Sequence, residues 1–211
     1  IYINNTIFQN QVFLFTAPKN RLRASILLTP SAEFYNHCNA AAPTVEQIIA
    51  YCSNICKSNN CRKMRYEVYT NLQITDDFSI IDFISEGKKG QIPKRISFTA
   101  TEWTSVYNLA FGDIDENGEI DDYSVSDNGD RNKILATVVS VVKAYTERFP
   151  ERFIIFRGST IERTRLYRMA IGLNLGELSD EFNIYAYVNE EIIPFTRNIN
   201  VTAFLVKRKI V

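Results

Sequence analysis

Histidine is nearly missing from this chain. Its 211 residues include one, His37, so a Ser-His-Asp or Cys-His arrangement cannot be assembled in the C-terminal two thirds. Net charge is missing as well, because 24 Lys and Arg balance 24 Asp and Glu. Bulk attraction to nucleic acid or to an anionic membrane therefore has no support, and any such binding needs a local patch. No apolar run approaches the roughly 20 residues of a spanning helix, so no membrane role is expected. The chain opens at Ile1 without the basic and apolar regions of a secretory signal. A start without methionine suggests a fragment or a processed product, and the cytoplasm is the expected compartment.

Cysteine is confined to one stretch, at Cys38, Cys52, Cys56 and Cys61, with His37 beside the first. Thiolate and imidazole are the usual zinc ligands. However, Cys52 and Cys56 have no second close pair to complete a finger or ribbon, and His37 adjoins Cys38 too closely for both to ligate one ion. No metal and no cofactor are implied, and the cysteines read as incidental.

Residues 1–63 read as a poorly defined N-terminal extension. Val12 to Phe15 and Ile26 to Leu28 suggest short strands, and Thr44 with Gln47 suggests a capped helix to Ser53. From Met64, a candidate initiator, the pattern is that of an α+β domain over 64–211. Strand-like runs lie at 66–69, 79–85, 92–98, 106–111 and 153–156, then at 182–187 and 203–206. A Gly87-Lys88-Lys89-Gly90 turn separates two of them. The short spacings predict an antiparallel sheet, packed against two helices. The first helix, 131–149, is capped by Asp130 and ended by Pro150. Ile134, Leu135, Val138, Val139, Val141, Val142 and Tyr145 make it apolar around most of its girth, so burial on more than one side is expected, against the sheet and the second helix.

Asp113-Ile114-Asp115-Glu116-Asn117-Gly118 opens like a calcium loop. Its twelfth position is Ser124, where a bidentate glutamate is required, so the Asn117-Gly118 hairpin turn is the better reading.

The stretch from Arg157 to Met169 is the candidate site. Gly158 breaks the preceding strand, Ser159 and Glu162 have capping-box spacing, and Leu166, Met169, Ala170 and Leu173 predict a helical face over 159–173. A helix start presents unpaired N–H groups, and guanidinium groups suit phosphate or carboxylate. Arg157, Gly158, Ser159, Thr160, Arg163, Arg165 and Tyr167 are therefore the candidate anion-binding set. The bland alternative is a capped helix whose arginines meet the chain's own acids. Residues 113–130 hold eight acids and no base, whereas 157–168 hold four arginines and one acid. Asp113, Asp127 and Asp130 are the candidate acidic partners. The Gly-x-x-x-x-Gly-Lys signature of a nucleotide loop is missing.

Several strings occur in order: Asn108 to Asp113, Ser126 to Asp130, Lys133 to Val138, then Gly158-Ser159-Thr160 with Arg163-Thr164-Arg165-Leu166-Tyr167. The chain from Met64 to Val211 thereby resembles a family of small bacterial proteins classed as a domain of unknown function. The resemblance implies a single α+β domain and no activity. Three functions stay open at this point. One is a binding or interaction module for a small anion or a protein partner. Another is a His-independent enzyme on a phosphorylated or nucleic-acid substrate, of toxin or defence type. The last is a structural partner docked through a sheet edge.

Overall fold

The computed structural model describes residues 66–210. The expected strands, helix and cysteine cluster of residues 1–63 lie outside them. The described elements run β1 (Gln73–Ile74), β2 (Ile80–Gly87), β3 (Gly90–Ala100), β4 (Val106–Ile114), β5 (Ile120–Asp121), α1 (Arg131–Arg148), β6 (Phe153–Phe156), α2 (Ile161–Leu173), α3 (Leu175–Glu181), β7 (Phe182–Val188), β8 (Glu191–Pro194) and β9 (Ala203–Arg208). The class is α+β, but the sheet is mixed and a third helix joins the expected two.

The nine strands form one sheet in the order β1-β2-β3-β4-β6-β9-β7-β8, with β5 on β4. Every pairing is antiparallel except β4 with β6, where Val106 lies opposite Phe153. That junction needs a crossover, and α1 supplies it. The expected hairpins β2–β3 and β3–β4 are present. β9 lies between β6 and β7, and Ala203, Phe204, Leu205 and Val206 are consecutively buried. Burial on both faces explains a continuous rather than alternating apolar run.

The main core lies between α1 and the β2–β4 half of the sheet. Ile81, Ile96 and Ile154 are fully buried, and Tyr145 of α1 stacks on Phe98 with ring centres 3.7 Å apart. Such a pair contributes ~0.5–1.5 kcal/mol beyond its buried area. A second cluster joins Ala186, Phe195 and Phe204 to Tyr167 and Ile171 of α2.

Three local expectations are corrected. Residues 66–69 form no strand: the Tyr69 N–H bonds Thr137 Oγ1 on α1 at 2.9 Å, and its ring stacks on Phe83. Asp130 makes no side-chain cap on α1. Its Oδ2 accepts instead from Tyr69 and Ser85 hydroxyls at 2.6 and 2.7 Å. Met169 and Leu173 are exposed, and the α2 face that meets the core carries Tyr167 and Ile171. Helical spacing alone fits either stripe, and the sheet beneath α2 selects the one with the aromatic ring.

Candidate functional site

β6 leads into the turn that starts α2. A Cβ on Gly158 would lie 2.3 Å from the Thr164 backbone nitrogen, so no larger residue lets the turn fold back on the helix. The helix start is closed by its own side chains. Thr160, not Ser159, is the N-cap, and its hydroxyl accepts from Arg163 N–H at 3.3 Å. The Gly158 N–H donates to Thr164 Oγ1 at 3.2 Å. The Glu162 carboxyl sits below its usual range because it accepts from its own N–H and from the Thr160 hydroxyl. Little of this helix start is left open to an anion.

Half-buried Ser159 and Arg163 meet the acidic stretch through its backbone carbonyls. The Ser159 hydroxyl donates to Asp122 O, and Arg163 donates to Ser159 Oγ at 2.7 Å and to Ser124 O. Two segments distant in sequence are tied together in this way.

Two of the three candidate acids, Asp113 and Asp130, are engaged elsewhere. Asp113 forms an ion pair with the buried Lys94 and accepts from Ser124 Oγ at 2.9 Å. Lys94 also donates to Ser126 Oγ at 2.7 Å. Asp127 is exposed, with φ of 42°. Asp130 belongs to the Tyr69–Ser85 network. Among the described residues, no ion pair joins residues 113–130 to the arginines of 157–168.

The arginines separate into three kinds. Arg163 is engaged with Ser159 and Ser124. Arg168 donates to Ile199 O at 2.8 Å and Asn200 Oδ1 at 3.0 Å. Arg157 and Arg165 make no hydrogen bond or ion pair among the described residues, and of these Arg165 is exposed while Arg157 is half-buried.

Arg157 lies in the lining of a cavity of about 180 Å³. One wall is a stripe of α1, Leu135, Val138, Val139 and Val142. The facing wall is a stripe of α2, Arg163, Tyr167, Ala170 and Ile171, and Phe111, Phe156 and Val206 of the sheet also line it. The surplus apolar face expected of α1 thus borders space instead of interdigitating with α2. Burial pushes the Tyr167 phenol up, Arg163 opposes the shift and Asp122 adds to it, so its hydroxyl stays a donor through neutral pH.

The sequence reading missed Asp122, Ser124, Lys94, Ser126, Tyr69 and Ser85. Only the alternation of strand residues could have marked Lys94 and Ser85 as inward-facing, since the other contacts depend on loops folding over the sheet.

Residues 65–209 match a family model described as Family of unknown function (DUF6934). No curated protein and no solved structure matches the chain.

Proposed function

The chain belongs to that family, and we propose that it is a binding module for a small anion, received beside Arg157 at the junction of β6 and α2. Arg157 supplies the charge and Tyr167 a hydroxyl donor. Ser159, Thr160 and Arg163 hold the turn in shape. The observation that carries this reading is a half-buried guanidinium without a protein partner among the described residues, set in the lining of a cavity. Burying an unpaired charge is unfavourable, and an anion relieves the cost.

Arg165 provides the control, since it lies on the helix that follows Arg157 but is exposed. Charge-assisted hydrogen bonds contribute about 1.5–3 kcal/mol, or roughly 10- to 150-fold in affinity. Calorimetric titration with a panel of inorganic and organic anions is expected to show binding weakened at least about tenfold by Arg157→Ala. Arg165→Ala should change it less than about twofold. Equal losses in the two variants, or no binding by any anion, would overturn the proposal.

A further inference from the structure

We infer that the anion is a monocarboxylate with an apolar body of about six to eight carbons, an inference that rests on the anion-site reading above. The first reason is volume. An engineered cavity of roughly 150 Å³ lined by aliphatic and aromatic side chains takes up benzene, and this one measures about 180 Å³. A bare inorganic anion would leave most of that space and its apolar walls unused.

The second reason is how polarity is distributed along α2. Arg163 and Tyr167, with Arg157 and Ser159 before them, lie toward the N-terminal end, whereas Ala170 and Ile171 continue the same lining C-terminally. From Tyr167 to Leu173 the helix advances about 9 Å. A ligand with a charged head and an apolar body matches both ends.

The third reason is charge. The lining holds one guanidinium free of protein partners, and the Asp122 carboxylate acts on Tyr167 in the same lining. Arg163, bonded only to neutral groups, adds a second cation to the lining, so two cations beside one fixed anion leave one positive charge, which favours a monoanion over a dianionic phosphate.

The test is a calorimetric series on the full chain at neutral pH: acetate, butanoate, hexanoate, octanoate, decanoate, inorganic phosphate and 1-octanol. Affinity is expected to rise roughly three- to fourfold per methylene and to stop rising at about eight carbons, where the cavity is full. Arg157→Ala should weaken octanoate at least about tenfold. Val139→Phe, which fills the cavity from the α1 side, should abolish the chain-length dependence, and Ala170→Phe, which fills it from α2, serves if the first variant fails to fold. Phosphate or acetate binding as tightly as octanoate and depending on Arg157 would overturn the inference while sparing the anion site. Octanol binding as tightly as octanoate, with no effect of Arg157→Ala, would overturn both. Chain-length dependence that persists in a folded cavity-filled variant would place the apolar body elsewhere and overturn the inference. No binding across the series would also overturn both.

Discussion

Arg157 and Arg163 stand six residues apart and should respond to truncation with opposite signs. Arg163→Ala removes donors from Ser124 O and Ser159 Oγ, untying the acidic loop from α2. Chemical denaturation should show a loss of about 1–3 kcal/mol, the cost of leaving half-buried acceptors unpaired. Arg157→Ala removes a half-buried cation with no protein partner among the described residues, so it should be neutral or stabilising by up to about 1 kcal/mol. A large loss in Arg157→Ala would mean that the side chain is structural. A titration offers a second check at this scale. Asp77 is held at about 2, chiefly by the Thr75 hydroxyl and then by Ser79. Its folded value lies below the unfolded one, so its stabilisation is present above the ordinary carboxylate range and is lost as pH falls toward 2. Carbon-detected NMR should find that midpoint, and Thr75→Val should move it upward.

The elements were legible where their signal is local. The run Phe153–Phe156, the break at Gly158 and the helix after it all stand as read, as does α1 with its end before Pro150. The cap was misplaced because Ser159, next to the true cap Thr160, bonds a carbonyl 37 residues away. No window of sequence contains that partner. Likewise, helical periodicity showed that α1 carries more apolar surface than one contact needs, but not that the second face borders a cavity. β1, β5, β8 and α3 were missed because two to seven residues give too little period to read. The junction itself can be tested through Gly158→Ala, which drives a methyl into the Thr164 backbone. Thermal unfolding should report a loss of about 2–4 kcal/mol, comparable to a strained or overpacked core site. Retention of full stability would contradict this close approach of the turn to the helix.

For the whole molecule, the α+β class was readable from hairpin spacings in the sequence, but the parallel β4–β6 pairing was not. That pairing depends on a crossover and places α1 over the sheet, with the cavity between it and α2. Four phenols are expected to destabilise the fold at alkaline pH. Tyr69, Tyr145, Tyr167 and Tyr187 are all raised, with desolvation by burial the leading cause in each. Their folded values exceed the unfolded value near 10, so their contribution is complete below about pH 10 and declines as pH rises through the folded values. Denaturation midpoints should fall once pH passes about 10, and the part of the 295 nm tyrosinate absorbance that Tyr→Phe substitution at these four positions removes should appear only together with unfolding. Phenolate absorbance from these four in a folded chain near pH 10 would contradict that placement.

The central claim is that the space between α1 and α2 seats an organic anion by its charged end at Arg157. A crystal structure of the full chain with 4-bromobenzoate, read through the anomalous signal of bromine, tests it most directly. The expected result is a bromine peak among Val139, Ala170 and Ile171, with the carboxylate within hydrogen-bond distance of Arg157. A peak on the protein surface, or none in the cavity at saturating ligand, would contradict it.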